Sequence, residues 1–172
     1  VIYPAFLGDI ILPFNLSILH NQNLKTIKLP VMQNNKLIAR LWFEFINKED
    51  IEGICAITAD TWKMYGGLPG LPEGGAGVRK LFASFGPVEQ RWEIEDIIAE
   101  GDKVVVRALN HCRQESFFGI LSHGRDQVFT ATFIHHIIDG KILETWRNAD
   151  DLGRVLQLGA HIVPAMQELR SA

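Results

Sequence analysis

The stretch Gln127–Ala160, QVFTATFIHHIIDGKILETWRNADDLGRVLQLGA, limits what this chain can fold into more than any other segment. Gln127–Ile138 is rich in β-branched and aromatic residues, which suit a pleated, half-buried strand. Asp139-Gly140 follows, a pair that tolerates the left-handed backbone a two-residue hairpin turn requires. Lys141–Arg147 is then the return strand. From Asn148 the apolar period lengthens. Leu152, Val155 and Leu156 fall at i, i+3 and i+4, which predicts a short helix with Asn148 or Asp150 as N-cap and Gly159 just past its end. A long hairpin running straight into a short helix is an arrangement that closes a domain.

The segments before it read as helices first and strands after. Asn35–Ile46 puts Leu37, Ile38, Leu41, Trp42, Phe45 and Ile46 on one broad helical face. Glu49–Ile57 gives a second helix with Ile51, Ile54 and Cys55 inward, and Thr61–Tyr65 a short strand or edge piece. Gly66–Gly77, GGLPGLPEGGAG, holds six glycines and two prolines and predicts a rim loop that turns tightly several times, or else a lid over a pocket. It lacks the spacing and terminal Lys of a phosphate loop. Val78–Phe85 is a third short helix. Arg91–Glu100 and Lys103–Arg113 form a hairpin about Gly101-Asp102, with Trp92, Ile94 and Ile98 alternating on one strand and Val104, Val106 and Ala108 on the other. This order predicts an α+β cone, a curved antiparallel sheet wrapped on N-terminal helices, with a deep pocket between them.

Residues 1–31, broken by Pro4, Pro13 and Pro30, read as an N-terminal extension outside a single domain over 32–172, an appendage such as an upstream extension of the reading frame would add. They make a poor signal peptide, and no run of apolar residues is long enough to span a membrane. A net charge of −3 argues against nucleic acid as a partner. Cys55 and Cys112 have no metal or redox spacing and read as free thiols in a reducing, cytoplasmic setting.

With these segments assembled, residues 36–160 resemble the SnoaL-like polyketide cyclase (ester cyclase) branch of the nuclear transport factor 2-like superfamily. The resemblance rests on GGLPGLPEGGAGVRKLFASF, the IIAEGDKVVVR hairpin, FFGI before a Gly-containing turn, and above all DGKILETWRNADDLGRVLQLGA. It implies the same cone fold. It further implies a cofactor-independent cyclase or isomerase that closes rings by acid/base, aldol-type chemistry on an apolar carbonyl compound. The acidic residue of the family's penultimate strand falls on Phe133, however, which cannot move a proton. A His often found before the Gly/Pro loop falls on Tyr65, and a further polar position falls on Arg113.

His135 shares a strand face with Phe129, Ala131 and Phe133 and is one candidate base, with an ordinary imidazole pKa suited to neutral pH. Glu144, read as sharing a face with Ile142 and Trp146, is the other. Arg113 or Tyr65 would hold an enolate, while His111, Trp42, Phe133 and Trp146 would complete the substrate pocket. The alternative for His135 is a sheet-edge hydrogen bond, for Glu144 a pairing with Arg107 or Arg147, and for His111 and Arg113 a solvated strand end. His135 and the adjacent His136 point to opposite faces and make no metal pair; no metal or cofactor is expected. There is no Gly-x-Ser-x-Gly elbow, no HExxH and no dinucleotide fingerprint. Two functions remain: the enzyme just described, or a non-catalytic small-molecule-binding or dimerisation module of the same fold. Apolar residues on both faces of the last hairpin predict a homodimer through the sheet.

Overall fold

The computed structural model describes residues 31–163, with side chains from Asn34 onward. The expected N-terminal extension and the last apolar helical turn (Val163, Met166, Leu169) lie wholly or largely outside the described residues. The elements run α1 (Val31–Asn47), α2 (Ile51–Ile57), β1 (Thr58–Tyr65), α3 (Gly74–Ala83), β2 (Val88–Glu100), β3 (Lys103–Gln114), β4 (Ser116–Phe117), β5 (Ile120–Leu121), β6 (Gln127–Ile138), β7 (Lys141–Ala149) and α4 (Asp151–Gln157). Five strands form one sheet in the order β1-β7-β6-β3-β2, and β4 pairs with β5 alone. Every pair in the large sheet is antiparallel except β1 with β7, because β1 enters from the helices rather than from a hairpin. This is the predicted α+β cone, with its helices on the concave side.

Helix α1 is fixed across that concave face at both ends. Asn35 Nδ2 donates to the Ile137 carbonyl (3.3 Å), and Asn47 exchanges two hydrogen bonds with the backbone of Trp92 (2.8 and 2.7 Å). Between them Ala39, Trp42, Phe43 and Ile46 are buried against the sheet. The predicted stripe is therefore shifted: Leu37 is 52% exposed, and Phe43 takes an inward place. Helix α2 starts two residues later than expected, with the Asp50 carboxylate accepting from Gly53 N–H as its N-cap. The Gly/Pro loop is also shorter than its composition suggests. Helix α3 begins at Gly74, and its glycines serve close packing: a side chain at Gly77 would overlap the Pro72 carbonyl oxygen and press on the Trp62 ring.

Two bulges decide which side chains face the cone. On β2 the register shifts between Ile94 and Asp96, so the inner face runs Trp92, Ile94, Ile97, Ala99, and Ile98, expected inside, is 64% exposed. On β7 the ladder shifts as well: His136 pairs with Glu144 and Ile137 with Ile142, which leaves Leu143 as the extra residue. Ile142 and Thr145 are both fully buried as a result. The alternation Ile142–Glu144–Trp146 is thereby broken, and Glu144 and Trp146 stand on the outer face. Strand β6 has no such interruption in its pairing with β3, and Gln127, Phe129, Ala131, Phe133, His135 and Ile137 all point inward.

The last hairpin closes as expected. Asp139 and Gly140 both take positive φ (51° and 76°), Asp150 caps α4 through Gly153 N–H (2.8 Å), and Gly159 has φ of 95°. The face that α4 presents is the reverse of what its leucines suggest: Leu152 and Leu156 are 55% and 44% exposed, whereas Arg154 is 6% exposed. No helix among the described residues is long and apolar enough to cross a membrane.

Candidate functional site

The sheet curls so that its concave face, α1, α3, the Gly66–Pro69 segment and α4 line a partly open cavity of about 540 Å³, within the range of small-molecule sites. Its walls are mainly aromatic and aliphatic: Trp42 and Ile46 from α1, Leu81 and Phe82 from α3, Trp92 from β2, and Phe129 and Phe133 from β6. Phe133 packs edge-on against Phe43 and Trp92 (centroids 5.2 and 5.4 Å), so the wall is held by a cluster of rings rather than by one residue. Gly66, with φ of 72°, lets the rim pass against the Arg147 carbonyl, where a side chain would collide with the backbone. A broader, shallower groove near the β4–β5 hairpin is more open; its two arginines are paired, Arg79 with Glu52 and Arg113 with Asp126, and its remaining charged lining, Glu49, Glu89 and Glu115, is carboxylate. The deeper cavity, less open and walled by aromatic rings, is the better candidate site.

Polar groups enter the cavity from several strands and from helix α4. Asn110, Cys112 and Gln114 continue the inward phase of Val104, Val106 and Ala108 on β3. Gln90 joins them from β2, accepting from Trp92 Nε1–H (3.0 Å) and Asn110 Nδ2–H (3.3 Å). The centre of the polar side is Arg154. Its Nε donates to Gln127 Oε1 (2.7 Å), and its Nη2 donates to Gln114 Oε1 (2.6 Å) and to Cys112 Sγ (3.2 Å). The guanidinium carbon sits 3.7 Å from the Phe117 ring centroid and 4.7 Å from that of Phe129, a cation held by π-faces on two sides. Burial lowers the pKa of this guanidinium and raises that of the Cys112 thiol, in each case by disfavouring the charged form. Arg147 and Asp151 face each other across the rim through two bonds of 3.0 and 2.9 Å. Among the described residues, no three His, Cys, Asp or Glu side chains gather as a metal centre needs.

The residues singled out from sequence fall into three places. Trp42 and Phe133 line the cavity. His135 lies beyond it, fully buried, stacked near Phe133 (6.1 Å) and beside Trp42 (5.4 Å). Its Nδ1 is 3.1 Å from Thr145 Oγ1, which also accepts from Trp62 Nε1–H (3.0 Å), and its Nε2 has no partner among the described residues. Burial pushes its pKa down to about 3, so the ring is neutral at pH 7. Tyr65, Glu144 and Trp146 form a separate group on the convex face. Tyr65 stacks on Trp146 (5.2 Å, 16°) and donates to Glu144 Oε1 (3.3 Å), whose carboxylate also meets His136 Nδ1 (2.9 Å). The His136 contact holds the Glu144 pKa below its ordinary range. His111 and Arg113 also face outward from β3, as exposed residues at the solvated strand end, and Arg113 is bound to Asp126 (2.8 Å).

The inner polar groups were within reach of the sequence where strand alternation holds. Extending Val104–Val106–Ala108 by three more steps gives Asn110, Cys112 and Gln114, and one step back from Phe129 gives Gln127. Arg154 carries no such signal, since the apolar residues of its helix point away from the cavity.

Comparison with known proteins agrees with this architecture. The SnoaL-like domain family matches residues 39–145, more than half of the chain. A structure from Bacillus cereus described as a proposed polyketide cyclase is 26% identical, with 73% of this chain and 80% of that one covered and a TM-score of 0.60. A proposed polyketide cyclase from Streptomyces antibioticus is 25% identical, covering 73% and 99%, with a TM-score of 0.61. An LEH-like epoxide hydrolase from M. tuberculosis shares the fold at 18% identity, covering 75% and 92%, with a TM-score of 0.59. No curated protein sequence matches the chain. With a cone, a concave-face cavity and a family match over most of its sheet, this chain belongs to the SnoaL-like family, within the nuclear transport factor 2-like fold.

Proposed function

We propose that the protein binds a small apolar carbonyl compound in the concave cavity. The observation that carries this reading is the partly open cavity itself, about 540 Å³, walled by Trp42, Trp92, Phe129 and Phe133, with its polar groups gathered on one side. An aromatic wall favours a flat, apolar body, and a localised polar side orients it. The likeness to proposed polyketide cyclases at 25–26% identity supports the same ligand class.

A catalytic reading is favoured by one further feature. Asp151 is the one carboxylate lining the cavity among the described residues, and Arg154 lies on the same helix, one turn on. In that reading Asp151 takes a proton from the carbon next to a carbonyl, and the electron pair moves onto the carbonyl oxygen as an enolate, stabilised by the guanidinium. The enolate carbon then attacks a second carbonyl of the same molecule, and the new alkoxide recovers the proton from Asp151. No external oxidant, reductant or cofactor enters this balance. His135, neutral and cut off from the cavity, and Glu144, on the convex face, take no part in it.

The test is a panel of apolar ketones and poly-β-carbonyl compounds, scored for binding by thermal shift and for turnover by chromatography. Binding by several members is expected, and turnover, where found, should vanish in Asp151→Asn while binding persists. A panel that neither shifts the melting transition nor reacts would refute the reading.

A further inference from the structure

The charge inside the cavity is not balanced. Three charged side chains line it: Arg147, Asp151 and Arg154. Arg147 and Asp151 satisfy each other through two hydrogen bonds, and neither bonds to Arg154. Arg154 is 94% buried by complement of its 6% exposure, and no carboxylate among the described residues pairs with it. Its partners are two amide oxygens, a thiol and two ring faces, all neutral. A buried cation without a counter-ion is costly, and proteins ordinarily pair it. The hydrogen bonds account for Nε and Nη2 only; Nη1 carries none of them.

Neutral partners that hold a guanidinium rigidly while leaving its charge and one nitrogen uncommitted describe an anion site. Gln127 and Gln114 fix its plane from β6 and β3, and Phe117 and Phe129 stop it from swinging. Each is positioned by the sheet or its adjoining hairpin, so the ligand finds the fork already oriented. A mainly apolar cavity around one cation without a counter-ion also concentrates its field on whatever enters.

Resting on the binding reading above, we propose that the natural occupant is an organic acid: an apolar, ring-sized body carrying one anionic oxygen group, a carboxylate or a stabilised enolate, received by Arg154 Nη1. The body stacks among Trp42, Trp92 and Phe133, and the anion completes the charge that the fold leaves open.

The experiment compares two fluorescent apolar probes of similar shape, anilinonaphthalene sulfonate, which is anionic, and phenylnaphthylamine, which is neutral. Binding is read by quenching of tryptophan emission, since Trp42 and Trp92 line the cavity. The wild-type protein is expected to prefer the anionic probe by about tenfold, the factor that a single charge-assisted hydrogen bond supplies. Arg154→Met should abolish the preference by weakening the anionic probe alone. Gln127→Glu is the control that keeps the guanidinium: a carboxylate placed against Nε (2.7 Å from the present Gln127 oxygen) neutralises it, and the preference should again disappear. Equal affinities for both probes in the wild-type protein, measured without any variant, overturn the anion proposal and leave the binding reading standing. Absence of quenching by either probe overturns both.

Discussion

His135 makes the stability of this protein depend on pH in a direction that can be measured. The imidazole is wholly buried among Trp42, Phe43 and Phe133, and its one described hydrogen-bonding neighbour is a hydroxyl, Thr145 Oγ1. A proton added to the ring would place a charge where Nε2 has no acceptor and no water-facing surface. The folded-state pKa is therefore pushed from 6.5 down to about 3. Between those two values the unfolded chain binds a proton that the folded chain refuses, so acidification favours unfolding and stability is recovered as pH rises through 6.5. The penalty is negligible at about pH 7 and grows to about 2–3 kcal/mol at about pH 4.5, from this one side chain. Set against a total stability of about 5–15 kcal/mol, that is easily resolved. The assay is urea unfolding of the wild-type protein and of His135→Gln at both pH values. An amide can still bond Thr145 and does not titrate. Carboxylates such as Glu144, whose pKa is lowered by His136, also weaken the protein in acid, but they do so in both proteins and cancel in the difference. Wild type should lose about 2–3 kcal/mol more than the variant over this interval. Parallel losses would show that the imidazole takes up its proton without unfolding, and the account of a sealed, neutral ring would be wrong.

Three further outcomes follow from the same geometry. Gly77→Ala should lower stability by about 1–3 kcal/mol in urea unfolding, because the added methyl overlaps the Pro72 carbonyl oxygen and presses on the Trp62 ring. Glu144→Gln and Arg113→Ala, both outside the cavity, should leave the affinity for the neutral probe unchanged; a several-fold loss in either would mean that the ligand binds on another face. Two copies are expected to meet through the convex side of the sheet, where Ile98, Val128 and Ile138 are exposed at 64%, 43% and 38%, and a monomer by light scattering at micromolar concentration would refute this.

What could be read from the chain was whatever depended on neighbours in sequence. The Asp139-Gly140 turn, the strands on either side and the cap at Asp150 are local chemistry, and they stand where the residues put them. Alternation also worked along β6, where the pairing with β3 is unbroken and Phe133 and His135 both point inward. It failed where a single residue slipped the count. Leu143 on β7 and the shift after Ile94 on β2 each reverse every later assignment on that strand, which is how Glu144, Trp146 and Ile98 left the concave face. Arg154 was hidden for a different reason. Hydrophobic periodicity ranks residues by the cost of burying them alone, and on that scale Leu152 and Leu156 belong inside α4 and an arginine does not. The ranking is overturned by partners that arrive from 27, 40 and 42 residues away, Gln127, Gln114 and Cys112, each delivered by strand alternation to the same point in the cone. A buried charge becomes legible only when the sheet register is known, because the register gathers the dipoles that make its burial tolerable. Phe133 contributes a ring to the cavity wall, and the charged side chains that line the cavity come from β7 and from α4. On the proposal made above, Arg154, buried and without a carboxylate partner among the described residues, is the residue on which the ligand's identity turns.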